Sequence, residues 1–250
     1  MFRKKALVVY SFILLLISAC TKDQIVSVLG GGENEKAVGA SANDLLAASK
    51  YSGLAIEIQY MPGYAPDASA VNNMVSFLNT YINKSGGIQV TQTQIAASGK
   101  SALNINDLIS IEKTNRTTFT AGNKIAVYVL IGDAAWANPG VLGVAYKNTS
   151  ICLFGKTIQD NSGAVGQVNR TKLVTTVVEH EFGHLLGLVD LGSSMVTNHK
   201  DAANWNHCSN TNCLMYYQSE TTDLLGFLLV GSIPTLDANC IADLRANGGK

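Results

Sequence analysis

The chain has 250 residues, 47% of them hydrophobic and only 14% charged, and its 18 basic and 18 acidic side chains cancel. That length suffices for one domain with a substantial core, and the balanced charge excludes an electrostatic footprint for nucleic acid or another polyanion. The charged fraction lies below the roughly 25% of an average soluble domain, its place taken by an apolar leader and by Ser, Thr, Asn and Gly.

Arg3, Lys4 and Lys5 precede a nearly unbroken apolar run, Ala6 to Ile17, and the small residues Ser18 and Ala19 lead into Cys20. The run is shorter than the about 20 apolar residues of a spanning helix and has the layout of a secretory signal. Leu16-Ile17-Ser18-Ala19-Cys20 resembles the lipobox of bacterial lipoproteins. The resemblance implies a signal peptide over 1–19, acylation of Cys20 and a lipid anchor in the bacterial cell envelope, on the periplasmic face or the cell surface. Thr21-Lys22-Asp23 loosely resembles the surface-export signals of some such proteins. Residues 20–50, with Gly30-Gly31-Gly32 and little apolar periodicity, read as a flexible tether. The folded domain is expected over 51–250.

Leu54 to Tyr60 alternates through Glu57 and Gln59 and reads as a strand. Asp67 or Ser69 can cap a helix with Val71, Val75, Leu78 and Ile82 on its apolar face, ended by Gly86-Gly87. Ile88 to Ile95 is a second strand, Asn104 to Glu112 a short helix, and the apolar run Lys124 to Ile131 a central strand buried on both faces. Leu142 to Tyr146 and Ser150 to Phe154 are short strands. A long helix spans Arg170 to Leu186, and a last one runs from Pro234 to Ala246. The alternation predicts an α/β fold with a mixed, mostly parallel sheet and a long helix in an upper lobe, above a loop-rich lower lobe with a C-terminal helix.

His180-Glu181-Phe182-Gly183-His184 falls near the end of the long helix. Residues at i and i+4 share a helix face, so both imidazoles can reach one zinc ion, with Glu181 beside them as general base. Zinc lowers the pKa of its water to about 7, which suits a carboxylate that takes a proton during hydrolysis. After Cys20, the cysteines are Cys152, Cys208, Cys213 and Cys240. In an exported chain an even number favours disulfides over buried thiols. Of the three possible pairings, short spacing favours Cys208 with Cys213, leaving Cys152 with Cys240.

His180 to Gly187 reads HExxHxxG, which resembles the metzincin peptidases. There the glycine turns the chain sharply, and a third ligand returns to the metal. The usual metzincin spacing points to Asp190. His207-Cys208 followed by Cys213 and Met215 resembles the archaemetzincin segment HC-x4-C-x-M and points to His207, with Val189 to Asn206 as an insertion. The second resemblance is followed residue by residue, so His207 is preferred, then Asp190, then His199; Asp190 can also serve as a turn-forming carboxylate. The resemblance implies Met215 as the floor of the Met-turn and Tyr217 as a phenol donating to the tetrahedral intermediate. It also implies Gly143 to Tyr146 as the edge strand that pairs with an extended peptide. Archaemetzincins carry a later C-x-x-C pair that completes a second, four-cysteine zinc site. Only Cys240 stands there in this chain, so one zinc ion and a Cys208–Cys213 disulfide are expected. Trp136 and Trp205 can line subsites or simply pack.

These readings converge on a zinc-dependent peptidase acting on a peptide or protein outside the cytoplasm. Two rivals are a catalytically inactive zinc-containing surface module and a hydrolase of a non-peptide amide. Glu181 argues against the first, since a structural site needs no such carboxylate, and the Met-turn-like segment argues against the second.

Overall fold

A computed structural model describes residues 32–250; the leader, Cys20 and the first part of the expected tether lie outside the described residues. Five strands form the main sheet: β1 (Gly53–Tyr60), β2 (Ile88–Gln94), β4 (Lys124–Gly132), β6 (Gly143–Lys147) and β7 (Ser150–Phe154). Their order is β2-β1-β4-β7-β6. The first four in that order run parallel, and only the edge strand β6 is antiparallel to its neighbour. A two-stranded ribbon of β3 (Ala102–Leu103) and β5 (Ala135–Trp136) stands apart.

The central strand β4 shows why its sequence is apolar throughout. Ile125, Val127, Val129 and Ile131 enter the larger core with α2 (Ala68–Tyr81), α5 (Arg170–Leu185) and α7 (Ala238–Ala246). Tyr128 and Leu130 enter a smaller core with Leu108 of α3 (Ile105–Asn115). On β1, Leu54, Ile56 and Ile58 join the larger core. Glu57 and Gln59 point the other way and are nonetheless buried. Glu57 accepts hydrogen bonds from the amides of Thr117 (3.0 Å) and Thr118 (2.7 Å), and Gln59 accepts one from the Tyr128 hydroxyl at 2.9 Å. The alternation is therefore between two interiors, one greasy and one hydrogen-bonded.

The helices start at their caps and stop where tertiary contacts take over. Asp67 caps α2, and a capping box of Asn104 and Asp107 opens α3. The second helix ends at Tyr81, ahead of the glycine pair, because the Asn83 amide bonds instead to the Leu46 carbonyl at 2.7 Å. The last helix begins at Ala238 rather than Pro234. Asp237 caps it, while Thr235 upstream is used to pair with Leu214. Two further helices are short, α4 (Gly155–Asp160) and α6 (Leu225–Val230).

The segment from Glu33 to Lys50, expected to be a tether, is part of the domain. It contains α1 (Ala42–Leu46), whose Leu45 and Leu46 are fully buried. Asn34 Nδ2 donates to the Ala126 carbonyl and to Thr149 Oγ1, each at 2.9 Å, and Asn148 donates back to the Glu33 carbonyl at 2.8 Å. Lys84 fastens the end of α1 by donating to the carbonyls of Asp44 (2.6 Å), Tyr51 (2.6 Å) and Ala47. These carbonyls include helix-end acceptors with no intrahelical partner. Lys84→Met keeps most of the apolar stem and orphans all three, so it is expected to lower unfolding free energy by about 2–4 kcal/mol. Urea denaturation of both proteins measures it; a loss below about 0.5 kcal/mol would show that water replaces the ammonium without cost.

Candidate metal centre

Asn169 caps the long helix α5 by accepting from the Lys172 amide at 3.0 Å. Leu173, Val177, Phe182 and Leu185 anchor it in the larger core, so its last turn is carried inward with His180, Glu181 and His184 buried. Gly187 then takes φ +77° and turns the chain off the helix. A Cβ there would lie 2.6 Å from the Ser193 amide nitrogen and 2.7 Å from the Ala42 methyl. Val189 and Asp190 continue at positive φ, a rare conformation, for a β-branched residue above all. Val189 is fully buried, while Asp190 faces solvent and pairs with Lys200 at 3.5 Å. The turn carries Asp190 away from the histidines.

The chain returns through the inserted segment. Lys200 bridges Cys208 in antiparallel fashion, with the Ser209 amide donating to the His199 carbonyl at 2.8 Å and the Asp201 amide to the His207 carbonyl at 2.8 Å. Asn206, at φ +67°, precedes His207. This hairpin sets the His207 ring against the other two. Ring centroids stand 4.7 Å (His180–His184), 5.3 Å (His180–His207) and 5.1 Å (His184–His207) apart.

Tautomers follow from the other ring nitrogens. His180 Nδ1 donates to the Leu214 carbonyl at 2.7 Å, and His207 Nδ1 donates to the Trp205 carbonyl at 3.0 Å. A carbonyl only accepts, so in the neutral rings the lone pair sits on Nε2. His180 Nε2 and His184 Nε2 are 3.0 Å apart, and His207 Nε2 is buried without a hydrogen-bond partner among the described residues. Burial, then the neighbouring His180 and His207, outweigh the pull of Glu220 and push the His184 imidazole down to about 4. Once deprotonated, the three converging imidazoles form a donor set for a divalent metal.

Glu181 is fully buried, and neither carboxylate oxygen has a hydrogen-bond partner among the described residues. It lies against Gly143 of the edge strand, where an added Cβ would meet Glu181 Oε1 at 2.8 Å. Burial first, then the Glu220 carboxylate, raises its proton affinity well above that of an ordinary glutamate. Met215 is fully buried beneath the helix, with its sulfur occupying the space that a Gly183 side chain would need. Gly183 sits between the two helical histidines, so Met215 forms a floor under them.

The Tyr217 hydroxyl accepts from Gln218 Nε2 at 3.3 Å and its ring packs on Tyr216 with centroids 4.7 Å apart, while the histidines meet Glu220, from the same 3-10 turn (Tyr217–Glu220). Glu220 Oε2 is 3.7 Å from His180 Nε2 and 3.8 Å from His184 Nε2, and Oε1 is 3.5 Å from His207 Nε2. No spacing rule pointed to Glu220. Trp136 packs on Phe154, and Trp205 is exposed beneath Lys200.

No protein-family model and no curated protein matches the sequence. Among solved structures, archaemetzincin from Methanopyrus kandleri is similar with a TM-score of 0.53 at 16% identity, over 78% of this chain and 96% of that one. The fold is archaemetzincin-like. Metalloproteinase-II from Bacteroides fragilis gives a TM-score of 0.41 at 16% identity, over 81% of this chain and 55% of that one, and the fold assignment rests on the first comparison alone.

Within this archaemetzincin-like fold the cysteines depart from expectation. All four described cysteines are unbonded and buried. Cys208 Sγ faces His199 Nδ1 at 3.3 Å rather than Cys213, and Cys213 Sγ faces Cys240 Sγ at 3.6 Å. Cys152 lies in the smaller core and Cys240 in the larger, so the sheet separates that pair. His199, the last of the three alternatives for the histidine site, belongs here. Its Nε2 donates to the buried Asp243 at 2.8 Å, which leaves Nδ1 to face the sulfurs. Amides of Met215 and Asp237 donate to Cys213 Sγ, each at 3.4 Å. The neighbouring Cys208 and Cys240, ahead of these amides, pull the Cys213 thiol down to about 4. His199, Cys208, Asp237 and Cys240 form a second group able to hold a metal ion, and Cys213 lies beside it with its sulfur 3.6 Å from Cys240 Sγ.

Gly187→Ala tests the turn. The left-handed conformation costs a non-glycine residue about 1–2 kcal/mol, and the collision with Ser193 and Ala42 adds about 1–3 kcal/mol of overpacking. Chemical denaturation is expected to show a loss of about 2–5 kcal/mol; wild-type stability would mean that the turn relaxes freely.

Proposed function

We propose that the chain is a zinc-dependent peptidase, exported and anchored to the cell envelope by a lipid on Cys20. The observation that carries the reading is the convergence of three imidazoles from His180, His184 and His207 beside a buried, unpartnered Glu181. These three would hold the metal through Nε2. When bound, the ion supplies Lewis acidity and makes a water acidic near neutral pH. Glu181 receives the proton of the attacking water and returns it to the leaving amine. Gly143 leaves room for that carboxylate beside β6. As the antiparallel edge of the sheet, β6 can take an extended peptide through its backbone.

A second zinc fits His199, Cys208, Cys213 and Cys240, in place of the single ion and disulfide expected. Three thiols and an imidazole with a carboxylate behind it make a closed, structural set. The clustering of Glu220 with the three histidines favours a second reading, a site kept closed, which is taken up below.

Purified mature protein is expected to contain two equivalents of zinc. Cys240→Ser and His207→Ala should each lose about one, and Asp190→Ala neither. The protein should cleave a peptide library and stop when chelated. Glu181→Gln should retain zinc while kcat/KM falls by about 10²–10⁴; full cleavage by that variant would refute the mechanism. Mass spectrometry should find a diacylated or triacylated Cys20 at the mature N-terminus, and an unmodified later start would end the anchor proposal.

A further inference from the structure

We infer that Glu220 is a fourth protein ligand of the histidine-held ion, making the site a latent one that opens only when this carboxylate is displaced. The inference rests on the zinc-peptidase reading above and adds a regulatory element to it.

The distances decide what Glu220 is doing. A carboxylate bonded directly to an imidazole N–H stands about 2.7–2.9 Å away. Glu220 approaches three ring nitrogens at 3.5, 3.7 and 3.8 Å, too far from each for a good hydrogen bond. Ligand atoms around a tetrahedral zinc, each about 2.0–2.2 Å from the ion, are roughly 3.3–3.5 Å from one another. Oε2 stands over the helical pair and Oε1 over His207, so the carboxylate straddles all three nitrogens without pairing with any one of them, as a ligand sharing one ion with them would. One atom each from His180, His184, His207 and Glu220 lies within 4.8 Å of all the others.

The backbone around Glu220 is built to hold it there. Its carbonyl accepts from the Leu142 amide at 2.7 Å, and the Thr222 amide donates to the Gly140 carbonyl at 2.8 Å. Thr221 and Val141 thus bridge across the chain that leads into β6. The Ser219 amide closes the turn onto the Tyr216 carbonyl at 2.9 Å. The side chain is 26% exposed, so the carboxylate has a way out to solvent.

Three imidazoles and a carboxylate fill four positions, which is the coordination of a closed site; a catalytic site keeps one position open. Glu181 then stands ready beside an ion that water cannot reach. The Glu220 segment also borders the start of β6, so a peptide laid along that edge meets the residues that hold the latch. Substrate is therefore the natural displacing agent, and its binding works against Glu220 coordination.

Acetohydroxamate is the probe, because it needs open coordination at zinc and the cysteine-rich cluster offers none. Titration into zinc-loaded wild-type protein, Glu220→Gln and Glu220→Asp is expected to show binding at least about tenfold tighter in both variants. The aspartate keeps the charge and shortens the reach, so it separates coordination from electrostatics. Peptide cleavage by both variants should rise at low substrate, with melting curves confirming that they fold. Equal hydroxamate affinity in all three proteins would overturn the latch, and so would lost cleavage with unchanged hydroxamate binding. Zinc content of His184→Ala separates the two readings. If it loses no zinc relative to wild type, the histidine site and the latch fall together. If it loses one equivalent and the hydroxamate affinities are equal, the latch alone falls.

Discussion

The hydrogen bond from His180 Nδ1 to the Leu214 carbonyl joins the two halves of the site. It fixes which nitrogen of His180 faces inward, and it pins the 207–215 segment under the last turn of α5. Met215, next to Leu214, fills the space left by Gly183, and the Met215 carbonyl accepts from the Cys208 amide at 2.7 Å. His207 and Cys208 are consecutive, so one backbone bond separates a ligand of the first cluster from a ligand of the second. His207, Cys208 and Cys213 are thus positioned by a single loop with little regular structure, held by hydrogen bonds and burial, while His180 and His184 come from α5 and Cys240 from α7.

Much of the layout was legible because it follows from periodicity. The apolar run of β4, the helical spacing of α5 and the capping residues Asp67 and Asn104 point to elements the structure contains. His180, Glu181 and His184 were legible for the same reason, since helix geometry alone puts i and i+4 together. The Glu33–Lys50 segment was not. It joins the domain through Asn34, Asn148 and Lys84, polar side chains bonded to backbone, and such contacts leave no periodic trace. Composition reads them as loop.

Glu220 escaped, and His199 was weighed only for the histidine site, for a related reason. Both are brought in by long-range pairing, Glu220 through the contact of its segment with residues 140–142 and His199 through the hairpin with residues 207–209. Spacing along the chain carries no information about either. The cysteines add a chemical lesson. Closeness in sequence favoured Cys208 with Cys213, yet the loop points their sulfurs at His199 and Cys240. A histidine from the insertion stands where sequence reasoning looked only for another cysteine.

The division of labour between the two clusters follows from their ligands. On the proposed two-ion reading, thiolates and a carboxylate-backed imidazole would bind zinc tightly and leave no open position, which suits the cluster that ties the 199–209 hairpin to α7. Three imidazoles whose outward nitrogens rest on neutral carbonyls, or on nothing, bind less firmly and leave a position to be filled. A carboxylate on an adjoining turn can fill that position reversibly, because its anchorage lies in backbone pairing with the sheet edge rather than in its own side chain. On that reading the firm cluster would protect the geometry of the loop while the softer one exchanges a ligand, and the shared backbone between His207 and Cys208 would make the second property depend on the first.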